Sequence, residues 1–312
     1  MTSNDSFATA VAYLLFGVAC GLGLDLCAKW LLATYSLEQF VFLRSVLGLL
    51  TFLLIARWYG GLKSLRTTRW EWHLLRTLLA CCTMFGFFYG LSRMPLVNAL
   101  TLAFTAPLIV TALSVPFLGE HVGWRRWMAV IAGFAGVLIV LRPGAGIVDL
   151  ASIAVLIAAA GYAGLALTAR KLAATESTFA LSTYVIAGPM LASAFVLPGN
   201  YEPPDAAGWG LFALAGLCSA GAWVGIVGGY RRAAPAILAP FEYTALIGAA
   251  IAGYLIWDEV PDRYVVLGGT VIILSGLYVV YREIGGNVLS TRYLRAFSAG
   301  AAAAIARRLS RR

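Results

Sequence analysis

Charge is what this chain has least of. Asp, Glu, Lys and Arg together make up 12% of its 312 residues, about half the share usual in soluble globular domains, which excludes a water-solvated surface over most of its length. Histidine occurs twice and cysteine five times. No Cys/His group has metal-ligand spacing, and the cysteines (Cys20, Cys27, Cys81, Cys82, Cys218) all fall within apolar runs, so they read as small packing residues with no metal and no cofactor expected. There is no H-E-x-x-H, no G-x-S-x-G and no Walker-type phosphate loop, which leaves a membrane-embedded enzyme as a remote alternative. Nor is there a sizeable polar domain, since the connections between apolar runs reach only about a dozen residues.

What is there is hydrophobicity, at 61% of residues. Ten stretches are each about as long as the roughly 20 residues that cross a bilayer, or somewhat shorter. They are Phe7–Ala33, Gln39–Ala56, Trp70–Leu91, Leu96–Leu118, Trp127–Leu141, Leu150–Ala169, Thr178–Leu197, Trp209–Gly229, Ala236–Trp257 and Tyr264–Tyr281. The runs are continuous rather than alternating, which excludes a β-barrel. The expectation is an all-α integral membrane protein of ten transmembrane helices. The opening segment is expected to stay as the first helix, because Met1–Ser6 carries Asp5 and no basic residue and the run that follows is too long for a signal peptide.

A net charge of +9 raises the question of nucleic acid, but its placement points to the membrane. With the N-terminus inside, alternate connections put Arg57, Lys63, Arg66, Arg69, Arg125, Arg126, Arg170, Lys171, Arg231, Arg232 and seven arginines from Arg282 onward on the cytoplasmic side. Only Arg93, Arg142 and Arg263 fall outside. This asymmetry orients the chain with both termini cytoplasmic in the cell inner membrane, in contact with lipid and not with nucleic acid.

Five helices followed by five make the second half enter from the opposite side. Sliding the chain by 139 positions lays Leu91–Leu141 over Tyr230–Val280 without a gap, matching Arg93 to Arg232, Thr105 to Thr244, Ala106 to Ala245 and Glu120 to Glu259. A helix, an acidic turn and another helix recur at one spacing. This points to two inverted-topology repeats, 1–143 and 144–283, followed by a basic tail, 284–312, read as an amphipathic surface helix or an orientation signal.

The run FTAPLIVTALSVPFLGEHVGWRRWMAVIAGFAGVLIVLRPG and its counterpart APFEYTALIGAAIAGYLIWDEVPDRYVVLGGTVIILSGLYVVYRE resemble the EamA type of the drug/metabolite transporter superfamily, over about residues 7–283. The resemblance implies a ten-helix secondary transporter with a central cavity for a small metabolite. An amino acid or related zwitterion, exported, is the expectation; import of a vitamin-like compound such as riboflavin is the alternative.

The residues expected to bind or gate the solute are the charges inside apolar runs, each costing about 2.5–3.5 kcal/mol at mid-membrane on insertion scales. Asp25 and Lys29, four apart, share a helix face and are placed to neutralise each other. With Arg44 they form an outer layer; Arg76 and Glu242 form an inner layer, placed to pair across the cavity floor, with snorkelling as the alternative for Arg76. Asp25 and Glu242 are the acids placed for proton coupling. Tyr89, Trp223, Tyr243 and Asn98, whose polar tips need partners, join the set ahead of the phenylalanines. Pro107 and Pro240 are candidate hinges. Gly17-x-x-x-Gly21, Gly86-x-x-x-Gly90 and Gly221-x-x-x-Gly225 mark close helix packing, within a monomer or across a homodimer.

Overall fold

The computed structural model describes residues 3–55, 65, 67, 69–142, 149–172, 175–230, 232 and 235–288. The basic tail beyond Val288 lies outside the described residues. Among the described residues the chain is helical with no strand: α1 (Ser3–Leu31), α2 (Leu37–Ile55), α3 (Trp70–Leu91), α4 (Leu96–Ala103), α5 (Ala106–Leu118), α6 (Trp124–Leu141), α7 (Leu150–Leu172), α8 (Thr178–Val196), α9 (Ala206–Tyr230), α10 (Pro235–Glu242), α11 (Thr244–Trp257) and α12 (Arg263–Val288). Among the described residues, eight segments, with α4 and α5 counted as one, are long and apolar enough to cross a membrane.

Two of the expected helices are broken, and at equivalent places. Leu96–Leu118 is interrupted at Phe104 and Thr105, and 235–257 at Tyr243, positions related by the 139-residue offset. The cause is local. The Thr105 hydroxyl donates to the Leu102 carbonyl at 2.7 Å and the Thr244 hydroxyl to the Phe241 carbonyl at 2.6 Å, the side-chain-to-backbone bond that competes with the helical ladder. Pro107 falls in the first turn of α5, where its missing N–H has no helical partner to lose. The breaks meet: the rings of Phe104 and Tyr243 lie 4.9 Å apart.

The packing repeats in the same way. α1 lies along α9 as α7 lies along α3; α2 meets α9 as α8 meets α3; α1 meets α10 and α11 as α7 meets α4 and α5. α6 packs on α12 and α2 on α8, pairings that map onto themselves. Glycines set these distances. A Cβ at Gly225 would lie 2.7 Å from the Tyr13 carbonyl oxygen, and one at Gly86 2.5 Å from that of Ala154; one at Gly229 would lie 3.1 Å from the Ala10 oxygen, and one at Gly90 3.1 Å from that of Ala151. Gly21 differs from the packing expected of it, since a Cβ there would meet nothing within 4 Å. Both acidic turns close on a left-handed residue, Gly119 (φ 67°) and Asp258 (φ 55°), and in each the next N–H returns to the helix, Glu120 to Ser114 and Glu259 to Gly253.

Candidate functional site

A cavity of about 450 Å3 opens beside the two breaks. Asp25 of α1, Arg44 of α2, Met84, Phe87 and Phe88 of α3, Phe104 and Pro107 at the first break, Tyr162 of α7 and Glu242 at the end of α10 form its wall. A second cavity of about 480 Å3 shares Arg44, Met84 and Tyr162 and continues past Arg76, Ser182 and Trp223 to Ala169.

Helix directions give the two ends of the bundle. α3 runs from His73, which is bonded to Glu176 just beyond α7 at 3.2 Å, to the turn at Met94, which accepts from the Lys29 ammonium at 3.1 Å. Lys29 and Arg170 therefore mark opposite ends, and the second cavity reaches the Arg170 end.

Arg44 is 5% exposed, with one guanidinium nitrogen 3.4 Å from the Met84 sulfur, its carbon 5.5 Å from the centre of the Phe88 ring and its Nε without a partner. A guanidinium so buried and so thinly satisfied keeps donor capacity for an acceptor such as a carboxylate. Asp25 is its electrostatic neighbour, yet the two do not approach to the 4.0 Å of an ion pair.

The pairings expected from spacing are not the ones formed. Lys29 bonds Glu259, 230 residues away, and not Asp25; the lysine stem carries its ammonium to the helix end, where an acid and the Met94 carbonyl wait. Arg76 does not reach Glu242, nor does it snorkel. It is 4% exposed and donates to the Leu165 carbonyl at 2.8 Å, the Thr168 hydroxyl at 2.8 Å and the Leu181 carbonyl at 3.2 Å, joining α3 to α7 and α8. Glu242 instead accepts from the Tyr230 hydroxyl. With Lys29 withdrawn, the first cavity holds two acids and one arginine, the reverse of the positive surplus counted along the sequence.

The polar aromatics divide. The Trp223 indole lines the second cavity and donates to Ser182 at 3.0 Å. Tyr243 is buried against Phe104, and Tyr89 stacks under the Arg93 guanidinium at 4.8 Å. Neither belongs to the cavity wall, nor does half-buried Asn98. Pro240 is exposed inside α10, three residues before the break. The rings that do line the first cavity are Phe87, Phe88 and Phe104, phenylalanines that the polar-tipped side chains were expected to precede, together with Tyr162. The spacing of Met84, Phe87 and Phe88, which puts them on one face of α3, was the available signal for this apolar wall.

Comparison with known proteins agrees with this architecture. The model of the EamA-like transporter family matches twice, at residues 8–142 and 149–282. The S-adenosylmethionine uptake transporter of Rickettsia bellii is 30% identical over 90% of this chain and 97% of its own length. The riboflavin transporter of Vibrio cholerae is 32% identical over 72% of this chain and 76% of its own, and the pseudopaline exporter CntI of Pseudomonas aeruginosa 26% identical over 78% and 86%. A crystal structure aligns over 89% of this chain and 99% of its own with a TM-score of 0.60 at 18% identity, a likeness of fold. Matched in both halves by one family model, the chain belongs to the EamA-like transporter family.

Proposed function

We propose that this protein is a ten-helix secondary transporter of two inverted repeats that takes up a zwitterionic, ring-bearing metabolite of the S-adenosylmethionine class by alternating access. The observation that carries the substrate class is the cavity wall itself. Arg44 receives a carboxylate, Asp25 and Glu242 face a cationic group, and Phe87, Phe88, Phe104 and Tyr162 hold a planar ring, where cation–π attraction adds to apolar contact. The start of α5 at Ala106 and Pro107 brings a helix N-terminus to the same wall, which favours the carboxylate end. S-adenosylmethionine combines an amino-acid zwitterion, a sulfonium and a purine, and the relative named for its uptake aligns over 90% of this chain. That alignment supports uptake over the export expected from sequence.

The repeat reading is supported by the family match in each half, by helix pairings that exchange when the halves are exchanged and by breaks 139 residues apart. The Lys29 end is then the outer end. Glu242, on the cavity wall and hydrogen-bonded by Tyr230, is the group placed to carry a coupling proton.

The test is flux into liposomes holding the purified protein, with S-adenosylmethionine, riboflavin and single amino acids offered under an inward proton gradient. S-adenosylmethionine accumulates, and Glu242→Gln abolishes the dependence on the gradient while leaving exchange intact. Accumulation of riboflavin alone refutes the substrate class; no movement of any solute refutes the carrier.

A further inference from the structure

The acidic turns serve the function in a way that the cavity does not reveal. At the Lys29 end, Glu259 gathers elements from both halves of the chain. One carboxylate oxygen takes the Lys29 ammonium and the other accepts the Leu96 N–H at 3.0 Å, the first amide of α4. Lys29 in turn holds the Met94 carbonyl at 3.1 Å. The group is largely enclosed, with side chains 12% and 18% exposed, under Trp257, whose ring centre is 5.2 Å from the ammonium and 6.1 Å from the ring of Trp30. Lys29 lies one turn past Asp25, about 6 Å further along α1 at 1.5 Å per residue, so the cluster sits between the cavity and that end.

The other end carries its counterpart. Glu120, 139 residues before Glu259, pairs with Arg170 at 2.7 Å, and Arg170 lies two residues before the end of α7 as Lys29 lies two before the end of α1. This pair is open to its surroundings, Arg170 48% and Glu120 36% exposed, beside a cavity that reaches Ala169. Among the described residues, Glu120 has no further tie to a helix start.

Resting on the inverted-repeat reading, we infer that Glu259 and Glu120 are alternating fasteners, each keeping its basic partner throughout the cycle and closing its end only by capping the start of the broken helix opposite. The present conformation shows both conditions at once. The ion pair is common to the closed and open ends, so it is a fixed strut; the Glu259 bond to the Leu96 amide and the Lys29 bond to Met94 are what opening releases. The two fasteners are not equal. The counterpart of Leu96 is Pro235, the first residue of α10, and proline has no N–H to offer a carboxylate. Glu120 therefore closes its end less firmly, and the protein at rest stands closed at the Lys29 end.

Hydrogen exchange of the full chain in lipid nanodiscs, followed by mass spectrometry, tests this. Glu259→Ala removes a charge-assisted bond, so exchange across Leu96–Leu100 rises about tenfold or more while exchange across 236–242 falls. Pro235→Leu supplies the missing amide at the far end and shifts both regions in the same directions without touching the Lys29 end. Equal exchange in wild type and Pro235→Leu overturns the inference, as does a rise at both ends in Glu259→Ala. Flux of S-adenosylmethionine without reciprocal exchange defeats the fasteners alone; reciprocal exchange with no solute moved defeats the carrier reading alone.

Discussion

Arg44→Gln isolates the chemistry of the cavity. The guanidinium has one contact to sulfur, one aromatic face and an unpartnered Nε, so its replacement breaks no framework bond. What disappears is the guanidinium proposed to receive a carboxylate. Hydrogen bonds to a charged group contribute about 1.5–3 kcal/mol, and each 1.4 kcal/mol is a factor of ten, so the apparent KM for a carboxylate-bearing solute rises about tenfold to a hundredfold. Arg44→Lys keeps the charge but loses the planar fork, and falls between. The assay is initial-rate flux in proteoliposomes at matched protein density, using S-adenosylmethionine and its decarboxylated analogue. The analogue, lacking the group that Arg44 receives, is handled alike by wild type and variant. An unchanged KM in Arg44→Gln, or an equal loss for the decarboxylated analogue, refutes the assignment.

Two predictions concern stability. Gly17→Ala places a methyl group 2.7 Å from the Ile226 nitrogen and destabilises the α1–α9 contact by about 1–3 kcal/mol, whereas Gly21→Ala, with nothing within 4 Å, gains about 0.5–1 kcal/mol of helix propensity; thermal unfolding in detergent separates the two, and equal shifts count against the packing. Asp262 caps α12 through the N–H groups of Tyr264 and Val265 and pairs with Arg142. Burial acts to raise its pKa, but the Val265 N–H, Arg142 and the Tyr264 N–H outweigh it and hold the carboxyl below its ordinary value of 3.8. A depressed value stabilises the fold above the ordinary aspartate range, and that contribution fades as pH falls through the folded-state value. Asp262→Asn thus lowers the melting temperature slightly at pH 7, the side chain being 49% exposed, and the difference from wild type narrows in strong acid.

Composition and periodicity determined the class of this protein. Long apolar runs admit only helices in a bilayer, because each backbone group must be paired within its own segment, and the 139-residue offset carried the repeat down to single residues, Thr105 with Thr244 and Glu120 with Glu259. The intramembrane charges were legible as anomalies, and Asp25, Arg44 and Glu242 stand on one cavity wall. Their partners were not legible. Spacing along a helix is local, and it pointed Lys29 to Asp25; the fold brings Glu259 across 230 residues to a longer-reaching ammonium at the helix end. Arg76 and Glu242 share a depth, but depth says nothing of azimuth around the bundle, and Arg76 turns to carbonyls of α7 and α8. The sign of the cavity charge was therefore decided by tertiary structure alone, since an ion pair formed elsewhere removes a charge that a count along the chain retains.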